Sequence, residues 1–170
     1  RIDDEGLAAT TVAWRINLFA FFPVIGLSMA IQTVVGHAQV RSDPDASGRA
    51  TWRGLALTQV WMIAWAVLFV AAPGPLVMLF DAGEGALPAG VSILLRFVAV
   101  YCLLDGLNVT LVAALQGAGD TRWTMMASIV LHSSFIAGMA VIEQLGGGLY
   151  ALWTAATVFV MLSALVWLFR

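Results

Sequence analysis

Five apolar runs, each long enough to cross a bilayer as a helix, follow one another along a chain of 170 residues. They cover about residues 12–38, 54–80, 88–115, 123–142 and 148–169. A membrane core takes roughly 20 such residues in helical form, since a helix satisfies its own backbone polar groups away from water. The expected fold is all-α: a polytopic membrane protein with about five transmembrane helices. Composition agrees, because 61% of the residues are hydrophobic, against roughly half in a soluble domain. The second run is the least regular: Pro73-Gly74-Pro75 is expected to end or break its helix near Ala72.

The few charges orient the chain. Arg41, Arg49 and Arg53 fall in the first connection, Arg122 in the third, and Arg170 closes the sequence. The second and fourth connections carry Asp81, Glu84 and Glu143 without an arginine. Arginine-bearing segments stay in the cytoplasm, so the N-terminus, with Asp3-Asp4-Glu5, is expected outside and the C-terminus inside. The chain begins at Arg1 without a signal sequence that would export this acidic start. A preceding transmembrane helix is therefore expected, and with it a longer polypeptide. Net charge is −2 and no basic patch points to nucleic acid. The single cysteine, Cys102, excludes an internal disulfide framework, and no zinc-type Cys/His cluster is present.

Polar groups inside the apolar runs are the informative ones. Asp105 lies near the middle of the third run. A charge at that depth costs at least ~2.5 kcal/mol, and intramembrane carboxylates usually serve ion or substrate pathways. Tyr101, Asp105 and Asn108, spaced i, i+4 and i+7, share one helical face that Gln116 extends. Arg96 projects about 180° from Asp105, so the two are not expected to pair within the helix. A carboxylate, a phenol and an amide on one face suit a hard cation such as sodium, or a proton. The plainer alternative is a hydrogen-bonded cluster that holds helices together.

In the first run, Asn17, Ser28 and Gln32 project within about 60° of one another and form a polar stripe that faces helices or water, not lipid. Asn17 and Gln32 are candidate cavity-lining residues. Pro23 and Gly26 lie near the middle of the same run, where proline removes a backbone donor; they are the hinge candidates. His132, in the fourth run, is a third cavity-lining candidate and could carry a proton. Arg15 and Arg96 lie towards outer helix ends, where snorkelling explains them. Trp52, Trp123 and Trp153 fall near expected membrane boundaries, whereas Trp61 and Trp65 sit deeper and suit helix packing.

The connections read as turns and caps. In RSDPDASGRATWR at 41–53, Asp45 or Ser47 is expected to cap a short helix leading into the membrane. In LQGAGDTR at 115–122, Gly117 and Gly119 suit a tight turn, and Asp120 or Thr121 caps the next helix. That string lacks the preceding strand and the lysine of a phosphate-binding loop.

LDGLN at 104–108 followed by ALQGAGDTR at 114–122 resembles the tenth helix and following loop of the multidrug and toxic compound extrusion (MATE) family. LAATTVAWRIN at 7–17, FFPVIGLSMAIQTVVG at 21–36 and GRATWR at 48–53 resemble its eighth helix and the loop after it. The resemblance implies most of the C-terminal six-helix bundle of a twelve-helix antiporter, without the seventh helix and the N-terminal half. It also implies a sodium site to which Tyr101 and Asp105 contribute, completed by a glutamate of the absent seventh helix. His37 stands where the family often has glutamine.

The expected function is secondary active transport, not enzymatic catalysis. Organic cations, drugs or other amphipathic compounds are exported by alternating access, coupled to sodium or protons. The expected partners are the lipid bilayer, the small amphipathic or cationic substrates and the N-terminal half of the same polypeptide; no cofactor is expected beyond the coupling ion. The expected location is the plasma membrane, by resemblance a bacterial inner membrane. One alternative is a lipid-linked precursor flippase of the same superfamily. Another, from a different class, is a membrane anchor of a redox enzyme whose His37 and His132 bind haem.

Overall fold

A computed structural model describes residues 4–80 and 91–170, with side chains at 7–79 and from 91 onward. The acidic connection with Asp81 and Glu84, and the start of the third apolar run at Pro88, lie outside the described residues, as does Asp3. Six helices are described: α1 (Asp4–Val40), α2 (Pro44–Ala71), α3 (Pro73–Phe80), α4 (Val91–Gly117), α5 (Thr121–Gln144) and α6 (Leu149–Leu168). All but α3 are long and apolar enough to cross a membrane, and there is no strand among the described residues.

Three local details differ from the sequence reading. The first connection contracts to a turn at Arg41–Asp43, and no separate short helix precedes α2. Its cap is Asp43, not Asp45 or Ser47: Asp43 Oδ1 accepts from the Ala46 N–H at 2.8 Å. Pro44 explains the choice, because its ring is preformed for the first helical position and needs no partner for a missing N–H. At the other end α2 stops at Ala71, where Pro73 and Pro75 withhold backbone donors, and α3 resumes beyond Ala72. The start of α5 also differs. Asp120 occupies the cap position without a side-chain cap bond, and its Oδ2 instead accepts from Arg170 Nε at 2.8 Å.

Helix α4 is the hub. It lies along α1 and α2 and, less extensively, against α6, while α5 touches chiefly α6. Its buried face (Leu94, Leu95, Val98 and Cys102) meets Ala13 and Ile16 of α1 and Met62 and Phe69 of α2. Polar stitches reinforce the α2–α4 seam: Gln59 Nε2 donates to Leu103 O at 3.0 Å, and Thr110 Oγ1 to Thr58 Oγ1 at 3.1 Å. Such bonds between membrane helices average ~0.6 kcal/mol and reach ~1.7 kcal/mol. Thr110→Val should accordingly cost about 1 kcal/mol and no more than ~2 kcal/mol, read from unfolding in mild detergent. By contrast α5 has one buried residue, Thr124, among those described, and shows Met125, Ile129, Val130 and Ile136 outward. Such apolar faces suit lipid or further protein.

One end of the bundle gathers most of the described arginines. The last turn of α1, the first turns of α2, the α4–α5 connection and the end of α6 share one end of the bundle. Arg170 joins two of these segments, with its guanidinium 5.3 Å from the centre of the Trp123 ring as well as paired to Asp120. Arg41, Arg49, Arg53 and Arg122 belong to the same end.

Candidate coupling site at the middle of α4

Successive residues of LDGLN have different tasks because a helix turns them to different neighbours. Gly106 faces α2, where an added Cβ would lie 3.0 Å from Met62 Cγ and 3.2 Å from Thr58 Cγ2. The glycine lets the two helices approach and holds the next face in register. Asn108 is buried, and its Nδ2 donates to the backbone carbonyl of Val160 on α6 at 3.0 Å. Asp105 lies between these contacts, with the Asn108 amide beside its carboxylate. Tyr101, one turn before Asp105, is buried and packs against Trp153 of α6, ring centres 6.1 Å apart.

Two oxygens flanking the carboxylate have no hydrogen-bond partner: Tyr101 Oη and Asn108 Oδ1. Leaving a buried polar atom unpaired costs about 1–3 kcal/mol, so such atoms mark strain or function. The stripe Tyr101–Asp105–Asn108 therefore presents a phenolic oxygen, a carboxylate and an amide oxygen.

Asp105 also separates two cavities. One, of about 400 Å³, is almost wholly apolar and lies towards the end opposite Arg170; Trp14, Tyr101, Met139, Leu149 and Trp153 are among its walls. The other, of about 430 Å³, lies towards the arginine end and is more polar, with Ser28, Gln32, Gln116, Ser128 and His132 in its lining. Asp105 lines both.

The remaining candidates are distributed unevenly. Gln32 and His132 line the arginine-end cavity. Asn17 lines neither: it is buried in the close-packed stretch between Ile16 and Ala20, with its Oδ1 unpaired. The wheel put it on the stripe of Ser28 and Gln32, but the cavity on that face closes before reaching it. His132 Nδ1 lies 2.8 Å from Ser128 O, and since a carbonyl only accepts, Nδ1 carries the hydrogen. His37 is exposed in the last turn of α1 and lines neither cavity. No group of three or more His, Cys, Asp or Glu placed to hold a metal occurs among the described residues. Helix α1 runs through Pro23 and Gly26 unbroken, and the Trp61 indole N–H donates to Ala20 O at 2.8 Å, one turn before the proline. Any pivot there must work beyond that anchor. Trp65 packs with Phe19, Trp61 and Phe69.

Other wall residues were missed from the sequence. Trp153 turns inward and is buried against Tyr101. Phe159 and Val160 line both cavities beside Asp105. In a uniformly apolar α6 nothing distinguishes these positions until the neighbouring helices are placed.

The family model for MatE matches residues 1–141. The chain belongs to the MatE family. Similar MatE-type relatives include a "Probable multidrug resistance protein NorM" of Deinococcus radiodurans, 31% identical over 97% of this chain and 38% of that protein. Proteins with the same description from Xanthomonas campestris and Bradyrhizobium diazoefficiens are 30% and 33% identical over 76% and 73% of this chain. The fold matches a crystal structure described as MATE in the bent conformation, with a TM-score of 0.83 over 96% of this chain and 36% of that one, at 21% identity. This MatE chain thus spans little more than a third of the length of the Deinococcus relative. It is a multi-pass membrane protein.

Proposed function

We propose that this chain forms part of a secondary active transporter that exports organic cations and other amphipathic drugs, with sodium or a proton entering by way of Asp105. The observation that carries the reading is the pair of unpaired buried oxygens, Tyr101 Oη and Asn108 Oδ1, flanking a carboxylate that borders two cavities in the middle of a membrane helix. Cation binding changes the charge of Asp105 and its interactions with Tyr101 and Asn108. An ion with different affinities for two arrangements of the helices shifts the balance between them, which is what alternating access requires. The multidrug-resistance names of the relatives favour drug cargo over a lipid-linked precursor, and family membership favours transport over haem binding. The clustering of arginines at one end supports a bacterial inner-membrane orientation with that end in the cytoplasm.

Ethidium efflux from vesicles carrying the full-length protein, with sodium and proton gradients imposed separately, tests the reading. Efflux driven by one gradient identifies the ion; efflux indifferent to both sinks the proposal. Tyr101→Phe removes one oxygen while keeping the ring against Trp153. Losing one bond to a charged group costs ~1.5–3 kcal/mol, so the driving-cation concentration for half-maximal efflux should rise roughly ten- to a hundredfold. An unchanged requirement would remove Tyr101 from the site.

A further inference from the structure

Among the described residues the two cavities share three wall residues: Asp105, Phe159 and Val160. Val160 is fixed through its carbonyl by Asn108. Phe159 is fixed by aromatic contacts across to α5: its ring stacks on Phe135 with centres 4.4 Å apart, and meets His132 edge-on at 5.3 Å. We propose that Phe159 is the barrier that keeps the two sides of Asp105 from being open at the same time. It is a positioning residue, acting through the access it denies and not by binding the cation. The inference rests on the coupling role given to Asp105 above.

An exchanger needs such a barrier. A carboxylate reached from both sides at once lets its cation run down the gradient without moving cargo, and an apolar ring closes a narrow passage by excluding water. The placement suits this. On the arginine side of Phe159 the wall includes Ser28, Gln32, Gln116 and His132; on the other it is almost wholly apolar and aromatic, so the ring stands where the more polar lining gives way to the apolar one. The partner helix suits it too. Among its described residues α5 buries only Thr124, so Phe135 and His132 can shift relative to Phe159 without dismantling a packed core.

The experiment uses the full-length protein in proteoliposomes without drug, with pyranine reporting protons and a sodium-sensitive dye reporting sodium. Phe159→Ala should collapse an imposed gradient of the coupling ion roughly tenfold faster than wild type, because the constriction is opened. Phe159→Tyr, which keeps a ring, should restore tightness. Adding Asp105→Asn to Phe159→Ala should abolish the leak, since the leak passes by the carboxylate. If Phe159→Ala does not yield folded protein, Phe135→Ala loosens the same ring and should leak likewise. Vesicles that stay tight with Phe159→Ala while drug export remains gradient-driven overturn the barrier alone, as does a leak that persists in the double variant. Wild-type vesicles whose efflux ignores both gradients overturn the coupling role itself.

Discussion

Asp105→Asn is expected to abolish gradient-driven efflux while leaving insertion, yield and stability in detergent no lower than in wild type. The amide has nearly the shape of the carboxylate and can still meet Asn108, so the packing of α4 against α1, α2 and α6 is untouched. It cannot ionise, however, and so loses the charge that distinguishes a cation-loaded from an empty site. A ligand without differential affinity for two states shifts nothing between them. Stability should hold or rise, because an intramembrane charge costs at least ~2.5 kcal/mol and the substitution removes it. The measurement is ethidium efflux from energised vesicles beside a melting curve of the same preparation. Full efflux in the variant would make Asp105 a structural residue and send the search to other parts of the polypeptide. Loss of efflux together with loss of folding would put Asp105 in the packing instead, as the hydrogen-bonded cluster considered from the sequence.

Gly117→Ala should cost more stability than alanine at any other described glycine of the membrane helices. Gly117 ends α4 where its backbone rests on that of α1. An added Cβ would lie 3.1 Å from both the Cα and the carbonyl carbon of Gln32, and nearer still to the carbonyl oxygen. Rotamer changes relieve a clash with a flexible side chain, but nothing relieves one with a helix backbone short of moving the helix. Overpacking typically costs about 1–3 kcal/mol; with backbone as the obstacle the expected cost is about 3 kcal/mol or more. The yield of monodisperse protein and the unfolding midpoint read the effect. Gly26→Ala is the control, since its Cβ would meet nothing within 4 Å and alanine favours the helix by ~0.8–1 kcal/mol. That control also tests the hinge: a stable Gly26→Ala protein with impaired transport would assign the flexibility of α1 to function. Wild-type stability in Gly117→Ala would show that α1 and α4 part easily at the arginine end.

Gly117 illustrates how far sequence reasoning reached. In LQGAGDTR both glycines invite a turn, and Gly119 does adopt the left-handed conformation, at φ 91°. Gly117 is instead the last residue of a regular helix, needed for a contact with a segment far away in sequence. Asn17 and Trp153 show the same limit. Periodicity says which residues share a face of one helix, but not where the cavity on that face ends or which helix covers it. Asn17 is thus enclosed in the α1 packing, and Trp153 is folded inward onto Tyr101.

What the amino-acid order determined by itself was everything governed by transfer into a bilayer and by local backbone chemistry. Five spans follow from apolar length, the break at Ala72 from proline's missing donor, and the prominence of Asp105 from the cost of a carboxylate at that depth. Tertiary structure alone decided the assembly of the site: Asn108 reaching Val160, Tyr101 meeting Trp153, two cavities divided at Asp105, and Phe159 held between them by α5. Those contacts join residues far apart along a mostly apolar sequence, from 24 positions for Phe135 and Phe159 to 52 for Asn108 and Val160. Hydrophobicity drives such segments into the membrane without choosing among their faces. Close packing and the pairing of the few polar atoms make that choice.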